Sequence, residues 1–224
     1  MDKLKSFVRL DFMTVKPYFT GRNLLIYAVI SLFISYVSGN FTSGISLGMF
    51  IAINFISYPF AVGEKSNMDA FYPTLSVGKG SVVLGRYIFT LALNLCALLF
   101  FILTGTAGLL ATQFMGLKTY FGDPFAAIGM VLALVIVIQS MQLPLYFKLG
   151  YTKAKFFSLI PYIAIMVIFV LVTTMANNNS VFSMSMAYAL EKAAKWAPLL
   201  AMALIPIVLI SIRVSWAFYS KREF

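Results

Sequence analysis

Residues that could do chemistry are few in this chain, and they are badly spaced for catalysis. It has no His and one Cys, Cys96, which excludes Ser-His and Cys-His nucleophile pairs, HExxH zinc sites and imidazole proton relays. The carboxylates Asp2, Asp11, Glu64, Asp69, Asp123, Glu191 and Glu223 never pair inside an apolar run, so an intramembrane aspartyl protease is excluded as well. Gly80-x-x-x-x-Gly85-Arg86-Tyr87 has the glycine spacing of a phosphate loop. Arg and Tyr stand where that loop needs Lys and Ser or Thr, and no buried strand precedes it. The chain is therefore expected to be no enzyme, with no metal site and no nucleotide site of its own. The stretch richest in mixed chemistry is 64–81, where Glu64, Lys65, Met68, Asp69, Phe71 and Tyr72 combine charges with exposed aromatics. Ser66 or Asn67 is placed to cap a short helix there, which Pro73 would stop. The aromatics either dip into lipid headgroups or dock a soluble protein.

The elements that must position these residues follow from composition. The 224-residue chain is 61% hydrophobic and 11% charged, with a mean hydropathy of +0.92, too little polar surface for a water-soluble globule. Apolar runs of about 20 residues suit membrane helices, and six are read, at 23–38, 44–62, 87–111, 125–147, 156–175 and 198–217. An all-α integral membrane protein is expected, because unpaired backbone cannot sit in lipid. One transmembrane domain would cover 1–224: an interface helix in 1–22, the bundle in 23–217 and a tail in 218–224. Lys3, Lys5, Arg9, Lys16, Arg22, Lys65, Lys79, Arg86, Lys148, Lys153, Lys155, Arg213, Lys221 and Arg222 fall on one side, leaving Lys118, Lys192 and Lys195 on the other. The basic side is expected to be cytoplasmic, with both termini on it. The net charge of +10 is then an orientation signal, and no nucleic-acid partner is expected, since no aromatic platform interleaves the bases.

No charge lies deep in a span, which argues against an ion-coupled carrier. The mild polar residues inside, among them Asn54, Asn94, Gln139 and Gln142, either bond helix to helix or line a path for something amphipathic. Small-residue stripes run through Ser31, Ser35 and Gly39 and through Gly44, Gly48 and Ala52, for packing within the subunit or across a dimer. Residues 3–16 read either as a basic amphipathic helix lying in the interface, ending at Lys16-Pro17, or as a simple positive anchor flanking the first span. The outer stretch 183–195 reads as a further short helix.

Two regions resemble a known family. Tyr58-Pro59-Phe60-Ala61-Val62-Gly63-Glu64-Lys65, Phe71-Tyr72-Pro73-Thr74-Leu75 and Ser81-Val82-Val83-Leu84-Gly85-Arg86-Tyr87 form one; Leu143-Pro144-Leu145-Tyr146-Phe147-Lys148-Leu149-Gly150-Tyr151 is the other. Both resemble bacterial ABC-2-type transporter permeases, nearest the small permeases of the staphylococcal phenol-soluble-modulin exporter. The resemblance implies a six-span subunit that pairs with a second permease copy, identical or paralogous, and docks a separate ABC ATPase carrying ATP and Mg. It implies that 64–72 forms the coupling helix and that Lys148, Tyr151 and Lys153 make a secondary contact. It further implies export of an amphipathic substrate, an amphipathic peptide in that subgroup, across the bacterial plasma membrane. From composition and topology alone, a membrane-embedded peptide receptor or immunity protein fits equally.

Overall fold

The computed structural model describes residues 2–68, 72, 78–116, 124–181, 184–185, 188 and 197–221, and every element among them is helical. Asp69 and Phe71 lie outside the described residues, as does most of the outer stretch 183–195.

The chain starts with α1 (Asp2–Val15), and a 3₁₀ turn at Lys16–Tyr18 follows where Pro17 withholds its N–H. Next, α2 (Gly21–Ser38) stops at Gly39, whose φ of 62° is the left-handed cap that glycine adopts without strain. The side chain of Asn40 then accepts from the Thr42 amide and opens α3 (Phe41–Phe55). A turn at Ile56-Ser57 separates α3 from α4 (Tyr58–Lys65), so the second expected span is two helices. Ser66 ends α4 instead of opening a new helix; its hydroxyl donates to the Val62 carbonyl at 2.6 Å. Asn67 follows with a φ of 50°, a conformation Asn tolerates better than most residues.

The longest described helix is α5 (Lys79–Phe114), which begins about two turns before the apolar run expected from Tyr87 and continues through Gly80 and Gly85. The remaining helices are α6 (Pro124–Phe157), α7 (Ile160–Asn178) and α8 (Ala197–Ser220). Among the described residues five stretches are long and apolar enough to cross a membrane: Gly21–Ser38, Thr42–Lys65, Lys79–Phe114, Ile128–Phe157 and Met202–Ser220. The expected span at 156–175 falls largely on α7.

Packing of α2, α3 and α5 depends on small residues. A Cβ on Gly44 would lie 2.1 Å from Ser35 Oγ and 2.6 Å from the Ser31 carbonyl, and one on Gly108 would lie 2.7 Å from the Leu32 carbonyl. Both stripes read from the sequence are thus used inside the subunit, where missing side chains let backbones approach. Thr104 Oγ1 donates to Ser31 Oγ across the same seam at 3.0 Å. A second seam joins α5, α6 and α8. Pro144 has no N–H to give the Ser140 carbonyl four residues back. Ser211 Oγ of α8 donates to that carbonyl at 2.7 Å. The Tyr87 hydroxyl bonds both Ser211 and Ser215, at 2.5 and 2.9 Å. The carbonyl that Pro144 frees thus finds a partner, as burial demands.

Two apolar clusters fill the interior, one around Phe7, Phe55, Tyr87, Phe147 and Tyr219, the other around Ile45, Met49, Leu98, Phe101 and Ile138. Leu91, Leu95, Leu99 and Leu103 of α5 are more than half exposed, as are Leu25, Val29, Phe33 and Val37 of α2. Such a continuous apolar exterior suits lipid and not water.

Candidate functional site

The site is built at the end of the bundle where α1 and the end of α8 both pack on α5. Lys79 Nζ donates to the Ser220 carbonyl at 2.9 Å, and Lys148 lies 5.0 Å from the Phe218 ring. Four base-bearing segments, α1, the end of α4, the start of α5 and the end of α6, therefore share one end.

Helix α1 is amphipathic with one exception. Phe7 and Val15 are buried on its inner face, and Asp11 stands between them at the same four-residue spacing. Asp11 is fully buried, and its Oδ2 faces Arg86 Nε of α5 at 3.3 Å. Arg86 is itself 3% exposed. Its guanidinium lies 4.5 Å from the Phe60 ring centre and 5.5 Å from that of Phe7, close enough for cation–π attraction on both faces. Among the described residues neither oxygen of the Asp11 carboxylate, nor Arg86 Nε or Nη1, has a hydrogen-bond partner, so the pair is held by charge alone. Burial pushes the Asp11 carboxyl up to about 6, with the Arg86 charge pulling the other way. Desolvation thus outweighs the pairing. Gly85 makes room for the neighbouring Phe7 ring, whose Cδ1 would lie 2.5 Å from a Cβ placed there.

From Arg86 a file of rings runs across the bundle. Phe60 stacks on Tyr146 at 5.1 Å and 24°, and Tyr146 stacks on Tyr151 at 6.4 Å and 18°. At its far end stands Glu64. Gly150 has φ 74° and ψ 174°, which breaks α6 and leaves Tyr151 and Thr152 at the start of a new helical segment. The Glu64 carboxylate caps that start. Oε2 accepts from the amides of Tyr151 and Thr152, and Oε1 accepts from Thr152 Oγ1. An acceptor there meets exposed N–H groups and the positive end of the helix dipole. A cavity of about 30 Å³ sits between Glu64, Arg86, Tyr151 and Tyr219.

The residues expected at the site divide as follows. Glu64 and Tyr151 are joined directly, so the two loop regions form one site. Lys65, Lys148 and Lys153 are exposed around it, and Met68 is half-buried. Tyr72 differs from expectation: it is 5% exposed, its ring 5.2 Å edge-to-face from Phe7. The apolar face of α1 claims it before any partner can.

The polar residues of the spans sit elsewhere. Asn94 and Gln139 exchange amide hydrogen bonds between α5 and α6, at 2.6 and 2.8 Å. Gln142 Nε2 donates to the Ser158 carbonyl at 3.1 Å. Asn54 is exposed and bonds its own helix, Nδ2 to the Phe50 carbonyl. Sequence reasoning missed Asp11, Arg86, Phe60, Tyr146 and Thr152. One signal was readable: Asp11 falls on the face shared by Phe7 and Val15, where a charge must find a partner.

The sequence profile of a family described as ABC-2 family transporter protein matches residues 6–220, nearly the whole chain. No curated protein and no solved structure matches it.

Proposed function

The chain belongs to the ABC-2 transporter family, and on that premise we propose that it is the transmembrane permease subunit of an ATP-binding-cassette exporter. It is a multi-pass membrane transport subunit; in our reading, ATP and Mg are bound by a separate ATPase and not by this chain. The base-rich end of the bundle faces the cytoplasm, α7 completes six spans, and a second permease copy completes the transmembrane unit. The ATPase docks on the segment bearing Glu64, Lys65, Met68, Asp69 and Phe71, which Tyr72 anchors to α1 from beneath, with Lys148, Tyr151 and Lys153 as a secondary contact. The cargo is an amphipathic peptide leaving a bacterial cell through the plasma membrane.

The observation that carries this reading is the bond between Glu64 and the 151–152 amides. It fuses two distant loop segments into one cytoplasmic surface, as a subunit that receives force from a single partner requires. Lys65 and Lys153 stand on that surface without being buried, so they can be altered without disturbing the core.

The test is Lys65→Glu with Lys153→Glu in cells that also express the ATPase. The permease is expected to remain in the membrane, while recovery of the ATPase with it and ATP-dependent peptide uptake into inside-out vesicles both fall several-fold, as when charges at a contact rim are reversed. Full ATPase recovery by the double variant would refute the docking surface. Peptide binding by the wild-type chain with no ATP-dependent uptake would identify a receptor or immunity protein instead.

A further inference from the structure

An apolar groove of about 330 Å³ opens beside α1, walled by α2, α3 and α5. Phe12 forms its floor, with Phe55, Leu93 and Phe100 along it, and exposed Phe19 and Cys96 mark its open side. Phe12 also lines a second, shallower hollow of about 570 Å³, whose other walls are Lys5, Val8, Arg9 and Ile88. The Phe12 ring therefore borders both spaces. Ile88 and Cys96 are two helical turns apart on α5, so both lie along one face of it. From Ile88 to Phe100 the helix rises about 18 Å, a little more than half of a hydrocarbon core about 30 Å thick.

We propose that the hollow and the groove bordered by Phe12 together hold an anionic phospholipid, its phosphate on Lys5 and Arg9 and one acyl chain along the groove past Phe12 toward Phe100. Lys5 and Arg9 are exposed one turn apart on α1. The nearby Asp11 does not engage them, because it is turned inward to Arg86. Two cations at the headgroup level with an apolar channel leading inward match an anionic lipid from both ends. A peptide does not match. The groove offers no row of donors and acceptors to an extended backbone, whose unpaired groups would cost several kcal/mol each in lipid. A helix about 10–12 Å wide exceeds a space of this size. The site lies away from Glu64 and Tyr151 and does not depend on the transport reading.

The experiment uses the full chain purified in a non-ionic detergent. Native mass spectrometry with phosphatidylglycerol and phosphatidylcholine at equal concentration is expected to show about thirtyfold greater retention of the anionic lipid, the effect of two basic residues near a headgroup. Lys5→Gln with Arg9→Gln is expected to bring the two lipids close to parity. Phosphatidylglycerol with a diazirine in one acyl chain is expected to label the groove residues Leu93, Cys96, Ala97 or Phe100 of the wild-type chain, a measurement that needs no variant. Equal retention of the two lipids, an unchanged preference in the double variant, or labelling confined to the outer leucines of α5 would each overturn the proposal. So would labelling of the groove residues by an amphipathic peptide photoprobe and not by the lipid.

Discussion

Replacing Arg86 by Met tests the central claim about the site, because the pair it makes with Asp11 is buried on both sides. At 3.3 Å and an effective dielectric of about 20, the attraction is about 5 kcal/mol. Removing each ion from water costs several kcal/mol, so the net value of the pair lies near zero. Deleting one partner is different, since the other charge stays buried alone. Arg86→Met leaves the Asp11 carboxylate with no donor among the described residues and is expected to destabilise the fold by about 3–5 kcal/mol. Asp11→Leu with Arg86→Met leaves no charge at all and is expected to fall within about 1 kcal/mol of wild type, or above it. Asp11→Asn should lie between them, because Arg86 keeps the faces of Phe60 and Phe7. The assay is unfolding in mixed detergent micelles by SDS titration, followed by circular dichroism at constant pH. If Arg86→Met alone is no less stable than the double variant, the carboxylate is not buried as described and the reasoning fails.

Three further expectations use the same titration. The Asp11 carboxyl sits at about 6 in the fold against 3.8 ordinarily. Its contribution is therefore complete below about pH 4 and is lost as pH rises through about 6; Asp11→Asn should abolish this slope. Gly44→Ala would bring a Cβ to 2.1 Å from Ser35 Oγ and should cost about 1–3 kcal/mol by overpacking. Gly21→Ala, with nothing within 4 Å, should change stability little. Asn94→Leu or Gln139→Leu should each cost about 1–2 kcal/mol by orphaning the other amide, and a double-mutant cycle should show the losses to be non-additive.

Much of the helix layout was readable in the sequence because lipid imposes a simple rule: long apolar runs become helices. The break at Lys16-Pro17 and the small-residue stripes followed from local chemistry in the same way. What the stripes touch did not, since Gly44 meets Ser35 only through tertiary packing. Arg86 looked like one more basic flank on the loop side of a span; its partner lies on another helix, and spacing within one segment cannot reveal it. Tyr72 looked exposed because its neighbours are charged, yet the ring is claimed by Phe7. Glu64 and Tyr151 were both expected at the site, but their direct bond depends on the turn at Gly150, which the apolar run through 147 gave no reason to expect.

That turn has a mechanical consequence. A helix broken at a glycine is a joint, and left alone it would let the segment after Gly150 swing against the span before it. The carboxylate of Glu64 pins the joint from a different helix, so its angle is set by α4 and not by α6. Segments 87 residues apart thus turn as one lever, and a push delivered to either is felt by two spans at once.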